Sequence, residues 1–240
     1  MTISNIAVAG STGRMGRTLI EALAETEDLK LSAALEQPGN PLLSQDAGAL
    51  LGTPCGVSIS SNHIDALKTS DILIDFTRPA GTLAYLAVCR ELNIKMVIGT
   101  TGFTAAERTI IQDAANEIAI VFAPNMSIGV NVLFKLLEVA TAALQEGYDI
   151  EIIEAHHRHK VDSPSGTALR MGEIIAQVAN RQLDKVAIYG RQGHTGERTS
   201  DTIGFSTIRG GDIVGDHTAL FAGIGERIEI THKANSRKTF

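Results

Sequence analysis

Over the first half of the chain, apolar residues come in short bounded runs. From Ile3 to about Asn125 the runs IAVAG, LSAAL, DILIDF, KMVIG and IAIVFA alternate with stretches of helical spacing over 15–25, 80–91 and 105–117. Runs flanked by turn residues and interleaved with helices are the pattern of strand–helix–strand units, in which a parallel sheet is covered on both faces. An α/β fold with a Rossmann-like, doubly wound parallel sheet is therefore predicted for this half.

After APNMSIGVN comes a longer helical pattern over 130–144, with Val132, Leu136, Val139 and Ala143 at helix spacing. Then the period changes. YDIEIIEAHH reads as a strand and 168–178 as a helix, while TIGFSTIR, HTALFA and RIEITHK alternate with period two. This predicts a second α+β domain with a mostly antiparallel or mixed sheet. The change of pattern near Ser127 puts a dinucleotide-type domain at 1–127 and the second domain from 128.

Composition narrows the function classes. The chain has 240 residues, 44% hydrophobic and 20% charged, as in ordinary globular proteins with real cores. A net charge of -6 gives no reason to expect nucleic acid or an anionic membrane as partner, so an anionic ligand needs locally gathered positive charge. Cys55 and Cys89 form neither a disulfide framework nor a zinc spacing. The N-terminus MTISNIAVAG lacks the basic region of a secretory signal, and no apolar run approaches the roughly 18 residues of a membrane span. A cytoplasmic location is expected.

The segment AVAGSTGRMG places Gly10, Gly13 and Gly16 after a predicted strand and at the opening of a predicted helix. Glycines there let the backbone turn tightly and approach a pyrophosphate, whose charge sits on the helix N-terminus. Spacing of this kind also serves a plain turn. Glu36 tips the balance, because an acid at the end of the second strand, about 20 residues on, can accept hydrogen bonds from an adenosine ribose. Strand, glycines, helix, strand and acid together favour a dinucleotide, with a nicotinamide cofactor expected. FTRPAGT from Phe76, GTTGF from Gly99 and APNMS from Ala123 follow later strands, at the carboxyl edge where open α/β sheets bind ligands.

HHRHKVDSPSGT, from His156 to Thr167, gathers three of the seven histidines beside Lys160. On a strand, His157 and His159 share a face and His156 opposes them, and Lys160 adds a competing charge, so no metal site is expected. Ser165, Gly166 and Thr167 precede a helix and supply its N-terminal N–H groups. Imidazoles, an ammonium and a helix start suit a carboxylate ligand that also needs protons.

The run EAHHRHKVDSPSGTAL, together with AGSTGRMG, IDFTRP, VIGTTGF, GHTGERTSDTIGFSTIRGGDIVGDH and GERIEITHKANSR, closely resembles the 4-hydroxy-tetrahydrodipicolinate (dihydrodipicolinate) reductase family of lysine and diaminopimelate biosynthesis. The resemblance spans essentially the whole chain. It implies NAD(P)H-dependent reduction of a cyclic dicarboxylate, with His156 and Lys160 as catalytic groups. His157, Ser165, Gly166 and Thr167 are then substrate contacts. The cofactor is met by Gly10, Ser11, Thr12, Gly13, Arg14, Met15, Glu36, Gln37, Phe76, Gly99, Thr100, Thr101, Ala123, Pro124, Asn125, Met126, Arg237 and Phe240. A homotetramer is implied, joined through the sheet of the second domain over 128–236, with 237–240 returning to the first.

Two departures qualify that picture. Where the family often has an arginine that pairs with the 2′-phosphate of NADPH, this chain has Gln37, so a preference for NADH is expected. Arg14, at the helix start, still allows NADPH. Family members also usually continue for a few tens of residues past the position of Phe240, so a longer natural chain is expected. Two other readings are a different two-domain nicotinamide enzyme and a non-catalytic dinucleotide sensor. Replacing His156 or Lys160 separates them, since a sensor keeps its function and a reductase loses turnover.

Overall fold

Strand β1 (Ser4–Ala9) carries the logic of the first half in six residues. Ile6 and Val8 join one buried cluster while Ala7 and Ala9 join another, because successive side chains leave a strand on opposite faces. A strand buried on both faces needs strands beside it and helices above and below. The computed structural model, which describes residues 3–144 and 146–240, supplies them. The chain runs on through α1 (Arg14–Ala24), β2 (Leu29–Leu35), β3 (Ile59–Ser60), α2 (His63–Leu67), β4 (Ile72–Asp75), α3 (Pro79–Leu92), β5 (Lys95–Ile98), α4 (Ala105–Ala114) and β6 (Ile120–Phe122).

The six strands are parallel, in the order β3-β2-β1-β4-β5-β6. On one face α1 buries Ile20 and Leu23 with Ile6, Val8, Leu31, Ala34 and Ile59. On the other, Leu86 and Cys89 of α3 and Ile111 and Ala114 of α4 pack with Leu35, Leu73, Met96 and Ile98. Each fully buried Leu or Ile stabilises by about 1.5–3 kcal/mol, which is what fixes the helices to the sheet. Strand order reverses between β1 and β4, so the crevice at their carboxyl ends is the place where such sheets take ligands. The short β3 and α2 have no counterpart in the sequence pattern.

The second unit begins with α5 (Ile128–Ala143) and continues through β7 (Asp149–His156), α6 (Gly166–Val178), α7 (Leu183–Val186), β8 (Ala187–Tyr189), β9 (Ile203–Arg209), β10 (Gly215–Ala222) and β11 (Arg227–Ala234). Its sheet is mixed, in the order β11-β10-β7-β9-β8, with β10 antiparallel to both neighbours and β7, β9 and β8 parallel. Buried and half-buried residues alternate strictly along β7 and β10. The inward set, Ile150, Ile152, Ile203, Phe205, Ala219 and Phe221, packs with Leu133 and Leu137 of α5 and with Ala168, Met171 and Ile175 of α6.

The buried stripe of α5 is Val130, Leu133, Leu137 and Thr141. Val132, Leu136 and Val139, which set the spacing in the sequence, are exposed. The chain divides into Met1–Pro124 and Asn125–Phe240, a few residues before the expected boundary at 127. Arg237–Thr239, a single 3-10 turn, and Phe240 close the second unit. No described helix is long and apolar enough to cross a membrane.

Candidate functional site

In the first unit the three glycines each meet a different steric demand. Gly10 has φ of +63°, which a side chain rarely adopts. A Cβ on Gly13 would lie 3.1 Å from the Gly10 carbonyl oxygen, and one on Gly16 would lie 2.2 Å from it. The third glycine therefore lets α1 sit directly against the loop. Gly13 caps α1 without any side-chain hydrogen bond. Arg14 is exposed and Met15 half-buried in the first turn.

Glu36, buried at the end of β2, ties that loop down. Its Oε1 accepts the Thr12 N–H at 3.1 Å and the Thr12 hydroxyl at 2.6 Å, and its Oε2 accepts the Gln37 N–H at 3.1 Å. Asn40, which no sequence motif marks, donates to the Thr12 hydroxyl oxygen at 3.1 Å. Oε1 thus has both lone pairs engaged, and Oε2 keeps one for a further donor. The Gln37 side chain lies in solvent just beyond.

At the carboxyl ends of β4 and β5, Phe76 packs so closely on Gly99 that a Cβ there would sit 2.0 Å from the ring. Thr100 is buried, Thr101 exposed, and Ala123 donates its N–H to Ile98 O at 3.2 Å beyond β6, just before the exposed Pro124. Four buried polar atoms along this edge lack a protein partner: Ser11 Oγ, Asp75 Oδ2, Thr77 Oγ1 and Thr100 Oγ1. Buried polar groups are ordinarily paired, so unmet ones beside a glycine cradle fit a polar ligand such as a dinucleotide. Asp75 and Thr77 are additions to the sequence-derived set.

The second unit holds the histidine run. Glu154 and His156 are two apart on β7, so they share the inward face and continue the row begun by Ile150 and Ile152. Glu154 is 1% exposed and draws five donors. His156 Nδ1 lies 2.6 Å from Oε2, the Arg209 guanidinium forks onto both oxygens at 2.8 and 2.9 Å, the Ser165 N–H donates at 3.1 Å and the Thr207 hydroxyl at 3.3 Å. Burial pushes the Glu154 carboxyl up, but the bonds from His156 and Arg209 outweigh it and hold the carboxyl at about 2.

Register places His217 of β10 opposite Glu154 and His232 of β11 opposite His217. The His217 ring stands edge-on to His156 at 5.0 Å, and its Nε2 lies 3.0 Å from Ser165 Oγ. Burial first, and the charge of His156 second, lower His217 to about 3. Ser165 also caps α6, accepting the Ala168 N–H at 3.2 Å, so Gly166 and Thr167 form the first turn beside this network. Asn125 donates to the Thr167 hydroxyl at 3.4 Å. Met126 is half-buried next to it.

His157 and Lys160 follow β7 directly, in the loop that leads to α6. The Lys160 ammonium pairs with Asp162 at 2.9 Å, and its N–H donates to the His157 carbonyl. His157 is buried, leaves β7, and gives its N–H to Ile213 O at 2.7 Å. Arg237 and Phe240 are linked to each other through the Phe240 N–H at 3.1 Å. The sequence-derived site does not include Glu154, Thr207, Arg209, Gly215 or His217. Only Glu154 carried a local signal, as an acid in an otherwise apolar inward row.

Comparison with known proteins bears on both units. A family model described as dihydrodipicolinate reductase, N-terminus, matches residues 4–126, and one described as its C-terminus matches 129–240. The 4-hydroxy-tetrahydrodipicolinate reductase of Nitrosomonas eutropha is 76% identical over all of this chain and 90% of its own length. That of Nitrosospira multiformis is 62% identical over all of this chain and 89% of its own. A solved dipicolinate-bound dihydrodipicolinate reductase from Paenisporosarcina sp. TG-14 is 28% identical with a TM-score of 0.73, covering 100% of this chain and 91% of that one.

Proposed function

The chain belongs to the dihydrodipicolinate reductase family, and from that premise we propose that it reduces 4-hydroxy-tetrahydrodipicolinate to tetrahydrodipicolinate with NAD(P)H. The observation that carries the proposal is the juxtaposition, at the end of β7, of the His156 imidazole with the N-terminus of α6. That pairing offers a proton and an anion-binding helix start to one small dicarboxylate. A ring dicarboxylate is also what the solved relative holds.

In the first unit, Gly10 to Met15 cradle the pyrophosphate and Glu36 accepts the adenosine ribose hydroxyls. Phe76 and Gly99 to Thr101 hold the nicotinamide end, and the family resemblance adds Ala123 to Met126, Arg237 and Phe240 as cofactor residues. When bound, the reduced dinucleotide supplies a hydride. Gln37 offers no positive charge to a 2′-phosphate, and the Glu36 carboxylate repels one, so NADH is the preferred form.

In the second unit, Gly166 and Thr167 bind a substrate carboxylate through backbone N–H groups, with His157 and Ser165 beside them. His156 or Lys160 gives the proton that completes the reduction, and the ammonium of Lys160 offsets the substrate's negative charge. One substrate, one NAD(P)H and one proton yield tetrahydrodipicolinate, the oxidised dinucleotide and water. A homotetramer in the cytoplasm belongs to the same proposal, on the strength of the family resemblance.

The test is to follow nicotinamide absorbance with freshly generated 4-hydroxy-tetrahydrodipicolinate, supplying NADH and NADPH in parallel. Oxidation of both, faster with NADH, is expected. Oxidation of neither overturns the proposal.

A further inference from the structure

We infer that Glu154, held in place by Arg209, is a positioning residue that keeps the His156 proton on Nδ1 and so leaves Nε2 to exchange a proton with the substrate. This rests on the function proposed above and deepens it. An ionised carboxylate only accepts hydrogen bonds, so the atom 2.6 Å from Glu154 Oε2 must be an N–H, and that atom is His156 Nδ1.

Glu154 has little freedom to turn away. Arg209 grips both oxygens, the Ser165 N–H and the Thr207 hydroxyl hold Oε1, and Arg209 is itself anchored to Asp162 O at 2.6 Å and Ile208 O at 2.7 Å. The charged or titratable groups around the pair are Arg209 on β9, His217 on β10, His232 on β11 and Lys160 in the loop after β7. Of these, Arg209 hydrogen-bonds to the carboxylate, as His156 itself does.

The other end of the ring is kept clear. A Cβ on Gly215 would lie 3.0 Å from His156 Nε2, closer than nearly all real contacts. With Nδ1 committed and Nε2 uncrowded, the imidazolium gives up its Nε2 proton. That N–H bond breaks and its electron pair stays on Nε2, while the proton joins the electron pair that hydride addition leaves on the substrate. The neutral ring that remains carries its proton on Nδ1, already bonded to Glu154, so neither a ring flip nor a tautomer change interrupts the cycle.

The tautomer can be read directly from histidine ring 15N shifts, with the His156 signals identified by their loss in His156→Gln. The neutral wild-type ring is expected to hold its proton on Nδ1. Glu154→Gln should move part of the population to Nε2–H and lower kcat by about 100-fold. NADH affinity and substrate KM should change less than about threefold. Glu154→Asp should keep the Nδ1 proton and recover part of kcat, which a merely structural role does not require.

A wild-type ring protonated on Nε2, or wild-type kcat in Glu154→Gln, overturns the inference. If Glu154→Gln fails to fold, the wild-type spectrum alone decides. A wild type that oxidises no cofactor with the substrate sinks the functional proposal instead, and the ring spectrum still reports on Glu154.

Discussion

His217 shows how one residue can make this protein sensitive to acid. It is 3% exposed, and burial together with the neighbouring His156 lowers it to about 3 from an ordinary 6.5. In the unfolded chain it takes up a proton below about pH 6.5, whereas in the folded chain it resists until about pH 3. Its contribution to stability is therefore complete above pH 6.5 and is lost as pH falls toward 3. Glu154, lowered from 4.5 to about 2, adds a second loss over that lower interval, because its pairing needs the ionised form. Urea unfolding across a pH series should show stability falling from about pH 6.5 downward. In His217→Gln the slope between 6.5 and 4.5 should flatten. An unchanged slope would mean that His217 is protonated alike in both states.

At the scale of elements, the closest fit in the first unit is between α1 and the loop that precedes it. A methyl group on Gly16 would overlap the Gly10 carbonyl and the Ser11 backbone, neither of which can rotate aside. Gly16→Ala must push the helix outward, at a cost of about 1–3 kcal/mol for overpacking. NADH affinity should fall with it, because the helix N-terminus moves away from the loop. Chemical denaturation and a cofactor titration on the same variant check both effects.

How much of this was legible varies from element to element. Strands β1, β2, β4, β5 and β6 and the helices α1, α3 and α4 could be read because bounded apolar runs and helical spacing mark them, whereas the two-residue β3 is too short to leave a pattern. Helix α5 was legible as a helix but not by face, since Val132, Leu136 and Val139 are as apolar as the buried Leu133 and Leu137. His156 and Ser165 could be found because they share one short segment. Arg209 could not, because it reaches Glu154 from 55 positions away through the parallel pairing of β7 with β9. Nothing in a single sequence announces that register.

For the molecule as a whole, the tetramer proposed above is expected to form through the outer face of the second sheet. Ile188 on β8 and Ile208 on β9 are exposed on that face. Apolar groups on a sheet that α5 and α6 cover from the other side are a surface for association. The tetramer proposed above predicts a scattering mass four times that of the chain, and a monomer at micromolar concentration would count against it.

Strand β7 sets Ile150, Ile152, Glu154 and His156 on one side, so its oily end and its ionised end share a single register. A slip of one position would turn Ile153 and Ala155 inward and expel the acid and the imidazole together. Misassembled chains would thus lose packing and chemistry in the same event. Activity per molecule in a recovering sample becomes a count of correctly paired sheets rather than a graded property of each.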